Sequence, residues 1–481
     1  MTEKILRGLC KERRRLVRAE ERNARKIIPE QEAEKSKLTR DPALKGTHML
    51  VCDRVFLSGT TEFLYPPHLW GGFLFFYRRY YLMLTIDKIY DAARVLDNVV
   101  RHTQLIEAPR LSAECGCELY LKPENLQVTG SFKVRGSAYK ISQLTEEEKS
   151  HGVIACSAGN HAQGVAMAAT KQGIKSVICL PSSAPISKVE ATKRYGAEVC
   201  LVDGVYDDAY AEAIRQRDEL GYTFIHPFDD DDVIAGQGTI GLEIMNELPD
   251  VDAVVVPIGG GGLISGVAYA LKTLKPSIKI YGVQAAGAPS MHNAIKAGKI
   301  EKLASVSTFA DGIAVKCPGD NTFEYCKQYV DEIVTVTEDE TAAAILHLIE
   351  TQKLTAEGAG AVALAAIKFG KVPVAGKKVV CLVSGGNIDV TILSRVIDRG
   401  LHKSGRACSI VVELIDRPGQ LEEVSHIIAE CGGNVVSVYH EHGDAQAVNG
   451  CFLRLGMETR SFEHIEEIKN ALKAKGFKIV Q

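Results

Sequence analysis

The sequence predicts an α/β fold in which two doubly wound parallel-sheet lobes precede a smaller, ferredoxin-like α+β module. Between residues 83 and 403, short β-branched runs such as "GVIACSAG" and "DAVVVPIGG" alternate with amphipathic segments such as "DDAYAEAIRQRDELG". Buried strands that alternate with helices are typical of parallel sheets covered on both faces. A stretch of about 320 residues exceeds one such core, so we expect two lobes, the smaller spanning about residues 122–226.

Residues 1–82 differ from this pattern and are predicted to lie outside the functional fold. A dense mixture of charges, "KERRRLVRAEERNARK", is followed by the aromatic-rich stretch "FLYPPHLWGGFLFFYRRYYLML". This stretch could anchor the chain to a membrane or a partner. We favour an atypical basic and aromatic extension without a part in the site, because periodic sequence begins only at Met83.

Charge and cysteine content exclude several classes of protein. The 481-residue chain has a net charge of −3, which favours neither nucleic acid nor an anionic membrane as a partner. Its thirteen cysteines lack paired C-x-x-C spacing, so we expect reduced thiols in the cytoplasm and no structural zinc site. No apolar run reaches the roughly 18 residues that a membrane-spanning helix needs.

Three predicted strands of the lobes end in glycine-rich loops, "SAGNHAQG", "IGGGGLISG" and "VSGGN". In open α/β sheets, ligands bind at the carboxyl ends of the strands. Three such loops together are a more specific signal than any one of them. They predict a ligand site at that edge of the sheets.

The loop "IGGGGLISG" contains four consecutive glycines, residues 259–262, before a predicted helix. Without Cβ atoms the backbone can approach an anion closely, and the helix N-terminus adds partial positive charge. The loop is not a P-loop, because no Gly-Lys-Ser/Thr follows, and it fits the Rossmann spacing poorly. We expect a phosphate site here; a flexible turn is the alternative.

The other two loops carry polar side chains. In "SAGNHAQG" the backbone amides suit a carboxylate, and Asn160 adds a side-chain donor and acceptor. His161 could act as a general base, although a packing role or a structural hydrogen bond is favoured. Ser384 follows the last strand of the lobes, where a serine on its own usually serves as a cap.

Lys133 lies in the stretch "GSFKVRG", between Phe132 and Val134. Partial desolvation beside a glycine-rich bend would lower the pKa of its amine and make it nucleophilic. On these residues alone, an ordinary surface lysine remains the alternative.

Together these segments resemble the fold type II family of pyridoxal-phosphate enzymes, and most closely its threonine ammonia-lyases. The resemblance runs from about Leu84 to the C-terminus. Its landmarks occur in the family's order: "LKPENLQVTGSFKVRG", "SAGNHAQGVA", "APISKVEATKRYGAEV", "GQGTIGLEI", "VPIGGGGLISG", "FADGIAVK", "EGAGAVALAA" and "LVSGGNID".

The resemblance implies a pyridoxal 5'-phosphate cofactor and gives each loop a role. Lys133 would bind the cofactor covalently, and its released amine would take the substrate Cα proton. Asn160 would contact the 3′ oxygen of the ring and Ser384 the pyridine nitrogen. The implied cofactor residues are Lys133, Phe132, Asn160, Gly259, Gly260, Gly261, Gly262, Leu263, Glu357 and Ser384. The implied residues for the substrate carboxylate are Ser157, Ala158, Gly159, Asn160 and His161.

The implied reaction is loss of the β-hydroxyl of threonine or serine, which yields 2-oxobutanoate or pyruvate and ammonia. A neutral serine at the pyridine nitrogen does not favour a protonated ring, which suits β-elimination better than transamination. Similar serine racemases carry a serine where this chain has Ala158, so racemisation is disfavoured. Many relatives bind a cation through a glutamate where this chain has Gln284, a poorer ligand, so we expect no metal.

Residues 406–481 read as βαββαβ, a ferredoxin-like unit, and the turn "IDRPGQL" resembles ACT regulatory domains. The resemblance implies an amino-acid effector such as isoleucine or valine and a homodimer or homotetramer; a purely structural dimerisation unit is the alternative. The other functional alternatives are a serine-preferring dehydratase or racemase and a catalytically inactive amino-acid sensor. A role in isoleucine biosynthesis and one in threonine breakdown are both open.

Overall fold

The computed structural model describes residues 84–441 and 450–480. The predicted extension at residues 1–82 lies outside these residues. Among the described residues, no helix is both long enough and apolar enough to cross a membrane.

The strands form three sheets. They are β1 (Ile106–Glu107), β2 (Glu118–Pro123), β3 (Val153–Cys156), β4 (Ser176–Pro181), β5 (Glu198–Val202), β6 (Thr223–Phe224), β7 (Ala253–Pro257), β8 (Lys279–Ala285), β9 (Glu332–Val336), β10 (Lys378–Val383), β11 (Ala407–Ile415), β12 (Asn434–Glu441), β13 (Gly450–Glu458) and β14 (Lys478–Ile479).

The helices alternate with these strands through the lobes and the tail. They are α1 (Ile86–Leu96), α2 (Pro109–Cys115), α3 (Lys133–Ser142), α4 (Glu146–His151), α5 (Asn160–Lys171), α6 (Ile186–Arg194), α7 (Tyr206–Leu220), α8 (Asp231–Glu247), α9 (Gly262–Leu274), α10 (Ser290–Ala297), α11 (Asp320–Tyr329), α12 (Glu338–His347), α13 (Gly358–Lys368), α14 (Val390–Lys403), α15 (Gln420–Glu430) and α16 (Phe462–Ala474).

The larger sheet has the order β1-β2-β10-β7-β8-β9 and is parallel except for the edge strand β1. The smaller sheet, β5-β4-β3-β6, is parallel throughout. In the tail, β12-β13-β11-β14 form an antiparallel sheet whose chain order is βαββαβ. The predicted fold class is therefore confirmed. The antiparallel edge strand β1 is an addition that the sequence pattern did not predict.

The buried strand β7 shows why this sequence forms a sheet with two covered faces. All five of its residues are buried. Ala253 and Val255 pack into one hydrophobic core, whereas Val254 and Val256 pack into another. Because successive side chains of a strand point to opposite faces, a continuous apolar run supplies both cores at once.

Local signals fix where the helices begin. The Asp230 side chain accepts hydrogen bonds from the amides of Asp232 and Val233 and so caps α8. Thr337 and Glu340 form a capping box at the start of α12. The second cap places α12 two residues after β9 ends, whereas the loop 225–230 separates β6 from α8.

Candidate active site

A cavity of about 800 Å³ lies where β3, β7 and β10 end. Each of the three glycine-rich loops contributes to its wall, as the sequence predicted. The predicted site residues that line it are Phe132, Lys133, Ser157, Ala158, Gly159, Asn160, His161, Gly259, Gly260, Gly261, Gly262, Leu263, Glu357 and Ser384.

Lys133 is the first residue of α3, and its amine lies in this cavity, partly buried. Its Nζ donates a hydrogen bond to the carbonyl oxygen of Pro227 at 2.6 Å. Burial lowers the pKa of Lys133 to about 8, and the nearby Glu357 acts in the opposite direction. An amine with this pKa is neutral in roughly a tenth of the molecules at pH 7, far more than for an ordinary lysine.

This pKa leads to a prediction about loading of the protein with pyridoxal phosphate, the cofactor that the resemblance implies. Because only the neutral amine reacts, the rate should rise about tenfold per pH unit up to about 8 and then level off. Stopped-flow absorbance at fixed cofactor concentration measures it, with N-acetyl-lysine amide as the reference amine. A rate that keeps climbing in parallel with the reference amine up to pH 10 would contradict the lowered pKa.

The backbone before Lys133 is held against the loop that follows β10. Gly130 has a φ of +72°, and a Cβ at this position would come within 2.4 Å of Asn387 Oδ1. The amide of Phe132 donates to the carbonyl oxygen of Ser384 at 3.2 Å. These contacts bring the lysine and the end of β10 to the same side of the cavity.

The glycine-rich loop after β7 has the donors that an anion site needs. These donors are the backbone amides of Gly259, Gly260, Gly261, Gly262 and Leu263. Within the part of the chain that the structure describes, none of them donates to a protein acceptor, although they are buried or partly buried. Buried N–H groups without a partner are costly, and a helix N-terminus favours negative charge. The donors therefore fit a phosphate group in the cavity.

Close packing explains why this loop consists of glycine. A Cβ at Gly260 would lie 2.4 Å from the Phe228 ring, and one at Gly262 would lie 2.7 Å from the Phe228 carbonyl oxygen. Gly261 has a φ of +104°, which L side chains rarely adopt. A side chain at Gly260 or Gly262 would displace either the loop amides or Phe228, so the alternative of a merely flexible turn is not favoured.

The loop after β3 ends at the N-terminus of α5. The Ser157 Oγ accepts a hydrogen bond from the Gly159 amide at 3.2 Å. His161 is buried, and its Nε2 donates to the carbonyl oxygen of Ile225 at 2.8 Å. Burial lowers the pKa of His161 to about 3, so this ring stays neutral. The geometry favours the structural hydrogen bond over a general-base role.

Asn160 belongs to a hydrogen-bonded group that the sequence predicted only in part. Its Nδ2 donates to Glu357 Oε1 at 2.6 Å, and its Oδ1 accepts from Asn387 Nδ2 at 2.7 Å. Asn387 also donates to the carbonyl oxygen of Thr129 at 2.8 Å. A role for Asn387 was not predicted from the sequence. It is the last residue of the loop "VSGGN", so the motif that indicated Ser384 also contained it. Asn387 fixes the amide orientation of Asn160.

Glu357 and Ser384 complete the wall. Glu357 is buried, and burial, assisted by the nearby charge of Asp311, raises its pKa to about 7. Ser384 is also buried, and its Oγ donates to the carbonyl oxygen of Ala359 at 3.2 Å. A hydroxyl carries no charge, so it cannot stabilise a cationic partner as a carboxylate does.

Two ion pairs at the cavity, also missed in the sequence, join the smaller lobe to the larger one. Lys188 of α6 pairs with Asp311, which begins a short 3-10 turn. Asp207 of α7 pairs with Lys302 at 3.5 Å. Lys188 and Asp311 fall within the landmarks "APISKVEATKRYGAEV" and "FADGIAVK", but nothing in either segment indicated that the two meet.

Gln284, the residue at the position where many relatives have a glutamate, is fully buried in β8. Its Oε1 accepts from the amide of His292 at 2.8 Å, and its Nε2 donates weakly to the carbonyl oxygen of Ile258 at 3.4 Å. The side-chain amide therefore bonds within the protein. The absence of a cation at this position stays a prediction.

A buried ionic group supports the helix that carries Lys133. Arg135 is almost completely buried. Its guanidinium donates hydrogen bonds to Glu124 Oε2 at 2.8 Å and to Glu243 Oε1 at 2.6 Å. Burial alone would raise the pKa of Glu124, but Arg135 holds it below its usual value. Glu124 therefore depends on the guanidinium two residues beyond Lys133. Glu243, in contrast, also pairs with the buried Lys122 at 2.6 Å.

Replacing Arg135 by methionine should lower the free energy of unfolding by about 3–5 kcal/mol, because it removes the main partner of the fully buried Glu124 carboxylate. Urea unfolding followed by circular dichroism measures this loss. The control is Arg94→Met, which removes only an exposed pair with Asp91 and should cost less than about 1 kcal/mol. Equal losses in the two variants would contradict a structural role for the buried group.

Comparison with known families assigns the class. Residues 96–385 match the family described as "Pyridoxal-phosphate dependent enzyme". The chain belongs to this family, and the unpartnered amides and the Lys133 amine fit its cofactor. It is therefore an enzyme that uses pyridoxal phosphate.

Within this family, the chain is similar to L-threonine ammonia-lyases. It is 51% identical over 398 residues to the "L-threonine ammonia-lyase" of Thermotoga maritima, covering 82% of this chain and 99% of that protein. It is 45% identical over 319 residues to the "L-threonine dehydratase catabolic TdcB" of Escherichia coli K12, covering 66% of this chain and 97% of that protein. The predicted resemblance is confirmed.

Solved structures agree with the fold. The processed form of threonine deaminase isoform 2 from Solanum lycopersicum superposes with a TM-score of 0.62 at 38% identity, over 65% of this chain and 87% of that one. Maize serine racemase superposes with a TM-score of 0.63 at 36% identity, over 66% of this chain and 98% of that one. Fold alone therefore does not separate a lyase from a racemase.

Proposed function

We propose that the protein is a threonine ammonia-lyase that converts L-threonine to 2-oxobutanoate and ammonia, and L-serine to pyruvate and ammonia. One observation carries the proposal: the Lys133 amine, the unpartnered amides of residues 259–263 and the Ser384 hydroxyl line one cavity. The identity of 51% to a protein named L-threonine ammonia-lyase supports the choice of substrate.

Bound pyridoxal phosphate supplies an electron sink that makes the Cα proton of an amino acid acidic. The amides of residues 259–263 would hold its phosphate, and Lys133 would hold its aldehyde carbon. The Lys133 Nζ would also act as the base for the Cα proton, and its lowered pKa suits proton transfer near neutral pH. Asn160, oriented by Asn387, would contact the ring oxygen.

The loop Ser157–His161 binds the substrate carboxylate in this proposal. Its amides lie at the N-terminus of α5, where a negative charge is stabilised. The neutral ring of His161 anchors the loop through Ile225 and takes no part in proton transfer. The substrate is thereby fixed at its α-carboxylate, with the Cα proton near Lys133.

Two residues favour elimination over racemisation. The neutral hydroxyl of Ser384 would give the pyridine nitrogen no charged partner, which would favour loss of the β-hydroxyl over reactions that need a long-lived carbanion. Ala158 has no atom that could return a proton to the opposite face of Cα. The racemase alternative, raised by the similarity to maize serine racemase, therefore lacks its acid.

The test is a product assay with the cofactor-saturated enzyme. We expect 2-oxobutanoate from L-threonine, pyruvate from L-serine, one ammonia per keto acid, and D-serine at a rate at least about tenfold below that of pyruvate. Lactate dehydrogenase coupling and chiral chromatography give these rates. D-serine as the main product would establish the racemase instead, and no keto acid from either substrate would leave the sensor alternative.

For the tail we propose an ACT regulatory module that binds an amino acid and pairs between subunits of a homodimer or homotetramer. Its antiparallel sheet with helices α15 and α16 supports this, and the long match to the Thermotoga maritima protein includes nearly all of that relative. Kinetics with isoleucine and valine, before and after removal of residues 406–481, test it. Unchanged kinetics and effector response would leave only the structural alternative.

We also propose a cytoplasmic location. The cysteines within the described residues are unpaired thiols, as expected in a reducing compartment. In this proposal the protein is a cytoplasmic enzyme of amino-acid metabolism. The response of its activity to amino-acid effectors would distinguish a role in isoleucine biosynthesis from one in threonine breakdown.

A further inference from the structure

Three side chains of metal-ligating type converge at one end of the tail sheet. Asp416 follows β11, His440 lies in β12 and Cys451 lies in β13. One carboxylate oxygen, one ring nitrogen and the thiol sulfur all lie within 4.8 Å of one another. The His440 Nε2 is 4.0 Å from the nearer carboxylate oxygen of Asp416.

Strand register, rather than a loop conformation, brings these residues together. β13 lies between β11 and β12, and Cys451 pairs with Leu414 in β11, two residues before Asp416. His440 pairs with Leu453, and directly opposite residues share a face of the sheet. Leu453 and Cys451 are buried in the core beneath the helices, so His440 lies on that same face.

The chemistry of the three groups selects a class of ion. Thiolate, imidazole and carboxylate together are typical ligands of Zn²⁺ and related first-row ions, whereas Mg²⁺ and Ca²⁺ take oxygen ligands. Around a tetrahedral zinc ion, ligand atoms lie roughly 3.3–3.8 Å apart, as bonds of about 2.0–2.3 Å require. Cys451 is buried, whereas the side chains of Asp416 and His440 are exposed.

We propose that Asp416, His440 and Cys451 bind a divalent transition-metal ion of the zinc class in the tail module. The three side chains supply three ligands, and a water molecule occupies the fourth coordination position of the ion. Its binding displaces the thiol proton of Cys451 to solvent. Because it joins β11, β12 and β13, the ion stabilises the folded sheet by an amount that rises with the logarithm of its affinity.

Spacing in the sequence did not predict this site. The ligands lie at positions 416, 440 and 451, which match no usual zinc spacing, and only antiparallel pairing makes them neighbours. The site is separate from the catalytic cavity, which none of the three residues lines. It is also separate from the position of Gln284 in β8.

The test uses the full-length enzyme with its cofactor, freed of metal and dialysed against buffered Zn²⁺. The wild type should bind one zinc ion per chain. Its affinity for this ion should be at least about 100-fold higher than that of Cys451→Ser or His440→Gln. With Co²⁺, the wild type should show d–d absorbance beyond the cofactor bands, and both variants should lose it. The control is Cys431→Ser, which removes a partly buried thiol of the same module and should bind zinc like the wild type.

Equal zinc stoichiometry and affinity in wild type, Cys451→Ser and His440→Gln would overturn the proposal. So would a loss of binding in Cys431→Ser as large as in Cys451→Ser. If Cys451→Ser does not fold, His440→Gln decides the question, because His440 is exposed and its substitution leaves the core intact.

Discussion

Lys133→Ala is expected to reduce the turnover of threonine by about 10⁴-fold or more. The variant loses both the group that binds the cofactor covalently and the base that takes the Cα proton. The amine of Lys133 lies in the cavity, where Nζ donates a hydrogen bond to the carbonyl oxygen of Pro227. Burial lowers its pKa to about 8. Keto-acid formation at saturating cofactor measures the loss, and the visible absorbance of the lysine-bound cofactor should disappear as well.

The control for Lys133→Ala is Lys149→Ala, which removes a partly buried lysine paired with Glu146 in α4, outside the cavity. It should keep wild-type turnover and absorbance. If Lys133→Ala retained the absorbance band and more than about a tenth of the activity, another lysine would have to carry the cofactor. That result would contradict the assignment of the site.

Gly260→Ala is expected to weaken pyridoxal phosphate binding by at least about 100-fold, which corresponds to about 2.7 kcal/mol. Its Cβ would lie 2.4 Å from the Phe228 ring, so either the ring or the loop must move. Movement of the loop displaces the amides of residues 259–263 from the phosphate. Titration of the cofactor-free variant with pyridoxal phosphate, followed by protein fluorescence, measures the affinity.

A glycine outside the site separates this effect from a general cost of glycine replacement. Gly370→Ala changes a position with a φ of +65° and nothing within 4 Å of the added Cβ, so it strains the backbone without touching the cavity. It should lower stability slightly and leave cofactor affinity unchanged. Equal affinities for Gly260→Ala and wild type would show that the glycine loop does not hold the phosphate.

Much of the site could be predicted because its parts are short segments at strand ends. Lys133, the glycine loop and Ser384 each follow a recognisable pattern, and the carboxyl ends of parallel strands meet at one edge of a sheet. All of them line the same cavity. Their roles toward the cofactor and the substrate stay predictions until the variants are measured.

Contacts between distant parts of the chain could not be predicted. Asn387 meets Asn160, and Lys188 meets Asp311, only because the two lobes fold against each other. A single sequence carries no signal for such pairs, since either partner alone is an ordinary polar residue. The same holds for Arg135 and Glu243, which are 108 positions apart.

The fold was predictable to the level of its class and less so in its details. The apolar runs of β7 and β10 are long and flanked by glycine, so they were evident as buried strands. The two-residue strand β1 depends on pairing with β2 in the antiparallel direction, and two residues carry no periodicity. Tertiary pairing rather than local pattern determines such edge strands.

Chemical trapping tests the central claim, that the cavity is built around Lys133 as the cofactor-binding amine. Borohydride reduction of the cofactor-loaded enzyme fixes the cofactor to the lysine that holds it, and peptide mass spectrometry then locates the label. We expect one pyridoxyl group per chain, on the peptide that contains Lys133. A label on any other lysine, or a chain that takes up no label, would contradict the account.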